Sequence, residues 1–408
     1  MYLADYAFGR GGPRVEEGKR WGKLLNVGRF RPHSMPRSPL DGRNEFENDY
    51  TRVVFSSSVR RLQDKAQVFP LDNSDFVRTR LTHSVEASAI GRSIGASVEN
   101  KFLAKKVLGF ERHLGEISSI LAVAGLVHDL GNPPFGHFGE TVIRQFFEGL
   151  FKKRPDLVPD AAQKRDLECF EGNAQTFRLL TKLQYLIDHN GFNLTFATLA
   201  GQMKYPCSSL EAGDGTRVSH KKFGYFQAEK DRFEMVRDAT GMAGARHPIA
   251  FLLEAADDIA YSAADIEDGL KKNVLTIEII KEVLRSEATK DGLKDAPLID
   301  KLDEYLDQVD SRCPDRDEIA VQRFRIAAQG AMIAGTVDAF EKHHDKLLEG
   351  SFENELLKVS EAAWLRRGFK RLAEEYVFRD RTILAKELTG QMVIQGLLEQ
   401  FTEAVLSN

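Results

Sequence analysis

A histidine and an aspartate stand side by side at positions 128 and 129, at the end of an apolar run from Ile117 to Val127. Gly131-Asn132-Pro133-Pro134 follows and stops the helix that this run predicts. His128 and Asp129 are therefore expected in the interior. A buried carboxylate is costly unless a positive group compensates it, so Asp129 calls for a cation nearby, and a divalent metal would serve. An isolated His-Asp pair more often only caps a helix. Two other segments offer further ligands. His83 follows Arg78-Thr79-Arg80-Leu81-Thr82, where Thr82 fits an N-cap. Asp257 lies in a helical pattern from Phe251 to Asp265, in which Asp257, Tyr261 and Asp265 recur at i, i+4 and i+8. Taken singly, His83 reads as a satisfied core histidine and the carboxylate stripe as a solvated face.

Together these residues have the order H…HD…D and resemble the HD superfamily of phosphohydrolases. The resemblance implies one divalent ion per chain held by His83, His128, Asp129 and Asp257. Mixed nitrogen and oxygen ligation suits manganese first, with iron, cobalt or magnesium as alternatives. An open position on such an ion lowers the pKa of a water toward neutrality and makes it a nucleophile.

The match narrows along the string HDLGNPPFGHFGE from His128 to Glu140. With Gln63-Asp64-Lys65-Ala66-Gln67, Thr79-Arg80-Leu81-Thr82-His83 and Glu254-Ala255-Ala256-Asp257-Asp258-Ile259-Ala260-Tyr261, it resembles the deoxyguanosine triphosphate triphosphohydrolases over roughly Asn44 to Leu270. That family implies hydrolysis of a dNTP, dGTP foremost, to deoxynucleoside and tripolyphosphate. It implies proton handling by His137 with Glu140 behind it, a sugar pocket of Gln67, Tyr261 and Asp265, and triphosphate contacts from Arg80, Lys204 and Lys222. It also implies a homo-oligomer, with a hexamer as one form, and admits single-stranded DNA or a nucleotide as effector. Asn173, in Glu171-Gly172-Asn173-Ala174-Gln175, is expected near the substrate, and Arg379 and Arg381 are weaker candidates for further phosphate contacts.

Elementary chemistry supports the first of these roles. If a helix runs from residue 138, His137 and Glu140 meet across one turn, and the carboxylate fixes the imidazole tautomer. The histidine is then placed either to orient a water or to protonate the departing 5′ oxygen. A tyrosine ring packed against the sugar would fill the space that a ribose 2′-hydroxyl needs. Two other readings compete. Another HD-type nucleotidase or phosphodiesterase would share the four ligands but not the remaining residues, and a catalytically silent nucleotide-sensing or DNA-binding module would usually have lost a ligand.

These residues need a helical frame, and the chain supplies the pattern for one. Of its 408 residues 42% are hydrophobic and 29% charged, the balance of an ordinary globular protein. The net charge of −4 gives no global attraction for polyanions, so a nucleotide must be met by a local cluster of Lys and Arg. Helical periodicity predicts helices over about 44–62, 82–103, 114–130, 138–151, 171–189, 248–270, 276–286, 316–345, 352–366 and 383–406. The fold class is mainly α, an HD-domain helical core with added C-terminal helices. Three regions follow: an irregular Gly/Arg-rich arm over 1–43, the HD core over 44–270 and a C-terminal helical region over 271–408. The segment Val68 to Arg78 has the pattern of a small hairpin, and Pro206 to His220 reads as a mobile loop. Cys169, Cys207 and Cys313 are dispersed and odd in number, which argues against disulfides or a thiolate zinc site. No apolar run reaches membrane-spanning length and none near the start suits a signal peptide, so the expected compartment is the cytoplasm.

Overall fold

The structure, a computed structural model, describes residues 13–32, 40–65, 67, 78–105, 110–157, 160–213, 215, 217–242, 244–293, 296–378 and 381–407. It is helical throughout, with no extended strand among the described residues. The hairpin expected over Val68 to Arg78 falls almost wholly on residues 68–77, outside the described residues.

Two helices form the frame of the site. The Arg80–Ala104 helix starts at Thr79, which closes a reciprocal capping box with Thr82. Thr82 is thus the third helical residue rather than the N-cap, and the extra turn places His83 inside the helix. The second helix, Glu116–Val127, is the apolar run read from the sequence, and every residue from Ile117 to Val127 except Ser119 is buried. The two run antiparallel in close contact. A Cβ on Gly95 would lie 2.5 Å from the Ser118 Cα, and one on Gly125 would lie 2.6 Å from the Ser88 nitrogen. Only glycine permits that approach. Its consequence is functional, because the start of one helix, with His83, comes beside the end of the other, with His128.

The Pro248–Lys271 helix packs against both and carries Asp257 at its middle. One apolar cluster then runs from Trp21 and Phe46 through Ile94, Ile117 and Leu252 to Phe324, Phe369 and Val377. The C-terminal helices Ile277–Lys290, Arg316–Lys342 and Ala363–Leu372 therefore share a core with the site helices.

Several elements depart from the sequence reading. Within the arm taken as irregular, Pro13–Leu24 is a helix, because Trp21 and Leu24 bury themselves in the core and outweigh the local glycines. The expected helix over 171–189 is only Gly172–Arg178 with a wider turn at Leu179–Leu183. The one over 352–366 is a short turn at Leu356–Val359 followed by Ala363–Leu372. Helices at Ala161–Glu168, Phe196–Gln202, Lys230–Thr240 and Pro297–Asp307 were not expected. Of the stretch Pro206 to His220, the described residues form turns and a short helical turn at Val218–His220, with the Gly213 amide donating to the His220 carbonyl at 2.8 Å. Among the described residues no helix is long and apolar enough to cross a membrane.

Candidate active site

His83, His128 and Asp257 converge, each offering a ligand atom within 4.8 Å of the others. The His128 Nδ1 lies 2.7 Å from the Gly125 carbonyl, which can only accept, so this nitrogen carries the proton. That leaves the Nε2 lone pair aimed inward, where it meets Asp257 Oδ1 at 3.1 Å and Asp129 Oδ1 at 3.5 Å. His83 Nε2 faces the same Asp257 oxygen at 3.2 Å. Lone pairs facing carboxylates in a buried space repel one another unless a proton or a cation sits between them. Burial works against charging His128, but Asp257 and Asp129 outweigh it and lift its pKa above the usual histidine value. The donor set therefore fits a divalent ion.

Asp129 stands at the edge of this cluster. Arg80 pairs with its Oδ2, and the Asn132 side chain donates to its Oδ1 at 2.7 Å. Burial alone would raise the Asp129 carboxyl, but His128 and Arg80 hold it down at about 2. Lys204 donates to Asp257 Oδ2 at 2.6 Å. Burial opposes the ionisation of Asp257 as well, and Lys204 and His128 keep it well below the ordinary carboxylate range. Both acids are thus ionised and able to ligate.

The turn after the HD pair aims the next histidine. Phe135 and Gly136 adopt left-handed backbone, with φ of 63° and 55°, and start the Gly136–Lys153 helix. His137 projects from its first turn with its side chain 79% exposed, and its Nδ1 lies 2.9 Å from Oε2 of the buried Glu140. The Gly172 amide donates to the other Glu140 oxygen at 2.8 Å. Burial raises the Glu140 carboxyl, but the His137 bond and the Lys222 charge bring it below its ordinary value, so it accepts and Nδ1–H donates.

A cavity of about 460 Å³ collects these groups. Of the residues singled out from the sequence, Gln67, Arg80, His128, Asp129, His137, Asn173, Lys204, Lys222, Asp257 and Tyr261 line it. Its size suits a nucleotide. Gln67 Oε1 is buried there with no hydrogen-bond partner. His83 lies beneath the lining, against Asp257. Glu140 is likewise one layer back, behind His137.

Asp265 is not brought to the lining. Eight residues at about 100° each put it roughly 80° round the helix from Asp257, so the stripe read as one face turns away. It is 2% exposed, and burial together with Asp268 pushes its carboxyl well above the usual range. Arg379 lies outside the described residues, and of Arg381 only the backbone, at a helix start, is described. Sequence reasoning missed Asn132, Phe135, Tyr205, Asp258, Phe378 and Glu387, all of which line the cavity. Asn132 follows Asp129 by three residues, the spacing that lets its side chain reach that carboxylate. Phe378 and Glu387 come from the distant C-terminal segment and carried no local signal.

Comparison with known proteins agrees with this geometry. The HD domain family matches residues 80–169, which hold His83, His128, Asp129, His137 and Glu140. A deoxyguanosinetriphosphate triphosphohydrolase-like protein of Listeria innocua is 41% identical over 95% of this chain and 84% of its own length. A protein of the same description from Synechocystis is 34% identical over 95% of this chain and 86% of its own. The deoxyguanosinetriphosphate triphosphohydrolase of Yersinia pestis is 33% identical over 91% and 80%. With likeness of that depth across nearly the whole chain, and with the HD residues gathered at one cavity, this protein belongs to the deoxyguanosinetriphosphate triphosphohydrolase family of HD-domain hydrolases.

Proposed function

We propose that the chain hydrolyses deoxynucleoside triphosphates, dGTP foremost, to deoxynucleoside and tripolyphosphate, with one divalent ion per chain. Manganese is the first ion to test, with iron, cobalt and magnesium as comparisons. The observation that carries the reading is the shared cavity: His128, Asp129 and Asp257 of the carboxylate–imidazole cluster, His137, three cations and Tyr261 all border about 460 Å³, with His83 and Glu140 directly behind them.

In this reading His83, His128, Asp129 and Asp257 hold the ion, which when bound lowers the pKa of a water to bring a nucleophile to neutral pH. Water adds to the α-phosphorus and the bond to the 5′ oxygen breaks. With the nucleophile so supplied, the group still needing a proton is the departing 5′ oxygen. His137 gives it from Nε2, while Glu140 holds Nδ1–H and stabilises the imidazolium. Arg80, Lys204 and Lys222 bind the phosphate oxygens, with Arg80 able to do so bidentately. The partnerless Gln67 oxygen accepts the sugar 3′-hydroxyl.

The test is product analysis by anion exchange after incubation with dGTP and Mn²⁺. Tripolyphosphate with deoxyguanosine is expected. Pyrophosphate or orthophosphate would instead favour another HD phosphohydrolase, and no turnover with any ion would favour a silent nucleotide-binding module.

The Tyr261 ring stacks 6.4 Å from Phe378 and walls the cavity. We read it as the discriminator against ribose, since forcing an extra hydroxyl into a filled pocket costs about 1–3 kcal/mol, or roughly 5- to 150-fold. The dGTP to GTP ratio of kcat/KM should therefore exceed one in the wild type and fall toward one in Tyr261→Ala. A ratio indifferent to the substitution would remove Tyr261 from the sugar pocket.

The same reading takes the protein as a cytoplasmic homo-oligomer, with a hexamer among the forms to look for and single-stranded DNA or a nucleotide as effector. Self-association is supported by the Arg381–Leu406 helix, whose Leu388, Met392, Phe401 and Val405 are exposed in the single chain. Sedimentation measures it directly.

A further inference from the structure

Lys222 differs from the other two cations of the cavity in the carboxylate it faces. Arg80 pairs with Asp129 and Lys204 with Asp257, both in or beside the metal cluster. Lys222 donates instead to Oε1 of Glu171 at 3.0 Å. Glu171 is buried and does not line the cavity. The same oxygen accepts from the Asn173 side chain at 2.7 Å, so one carboxylate oxygen holds two residues that do line it. The other oxygen of Glu171 is 3.2 Å from Arg144 Nη2, and Arg144 Nε is bonded to the Phe170 carbonyl at 2.7 Å. The carboxylate is therefore anchored from behind and presents a fixed acceptor to the front.

We infer that Glu171 is a positioning residue, one that fixes the Lys222 ammonium and the Asn173 amide where they meet a polyphosphate. The inference rests on the reading of this cavity as a triphosphate site. A lysine is a point charge on a flexible four-carbon stem, and an unanchored one must be ordered when it binds. Glu171 does that ordering beforehand. Because its carboxylate belongs to no ligand of the cluster, Lys222 keeps its place whatever occupies the metal site.

Calorimetry with inorganic tripolyphosphate on manganese-loaded protein, beside steady-state kinetics with dGTP, tests this. Glu171→Ala should weaken tripolyphosphate binding and raise KM by about tenfold each, the scale of one charge-assisted hydrogen bond, with kcat changed less than about threefold. In a Lys222→Ala background the same substitution should cost less than about threefold, because most of what the anchor held is gone. Glu171→Asp keeps the charge but withdraws the carboxylate by one methylene. It should raise KM by about threefold, an effect that position can produce and charge cannot, while Glu171→Gln, whose single acceptor oxygen must leave its NH2 facing a donor on one side, should raise KM to between the wild-type and Glu171→Ala values. The Asp and Gln variants decide the matter if Glu171→Ala does not fold. Unchanged or tighter tripolyphosphate binding in the Ala and Asp variants, or an undiminished cost without Lys222, overturns the inference. Wild-type protein that neither binds tripolyphosphate nor turns over dGTP overturns the polyphosphate reading itself.

Discussion

Alanine at His137 is expected to lower turnover of dGTP by about 10²–10⁴-fold while metal content stays at the wild-type level. His137 is largely exposed to the cavity and its Nδ1 is committed to Glu140, so only Nε2 can reach a reacting atom. Removing the ring removes the proton donor without opening the buried cluster, because no ligand atom of His83, His128 or Asp257 depends on it. Glu140→Gln should cost less, since an amide oxygen still accepts from Nδ1–H but no longer balances the charge of the imidazolium. Rates per bound metal, with metal content measured by elemental analysis, distinguish this role from ligation. If His137→Ala loses metal in proportion to activity, His137 is a ligand and the proton comes from elsewhere.

The parts of this site that the sequence made legible are those whose neighbours along the chain fix their geometry. An apolar helix ending in His128-Asp129 points both inward, and the structure buries His128 and leaves Asp129 partly exposed at the cavity; a helix from residue 138 brings Glu140 one turn from His137, and the observed helix, starting at Gly136, does so. Assignment to the HD hydrolases followed from strings long enough to be specific, and the relatives agree. Less was legible where distant segments meet. Nothing local indicates that Lys204 pairs with Asp257, that Arg366 of the Ala363–Leu372 helix holds Asp258, or that Phe378 and Glu387 complete the cavity wall. At Asp265 the helical period runs past the lining, since eight residues turn it about 80° round the helix from Asp257. The helix Pro13–Leu24 was missed because local composition argued against it while Trp21, bonded to His344 across the core at 3.1 Å, decided for it.

Chelation should reduce activity to background, and Mn²⁺ should restore it, because a water of ordinary acidity supplies almost no hydroxide at neutral pH without a Lewis acid to lower its pKa. The cluster also predicts a signature independent of turnover. An ion that binds the native state alone stabilises it by about 2.7 kcal/mol at a hundredfold excess over Kd, so the melting temperature should rise with added Mn²⁺. His128→Ala is the informative variant. Its imidazole contributes a buried lone pair between two ionised carboxylates, and its loss should abolish both the metal-dependent melting shift and activity. Asp257→Ala is less clean. It would strand the Lys204 ammonium in a buried place, and breaking such a pair costs about 3–5 kcal/mol whether or not a metal binds. Full activity after verified metal removal, or an undiminished Mn²⁺ shift in His128→Ala, would show that these residues do not form the metal site.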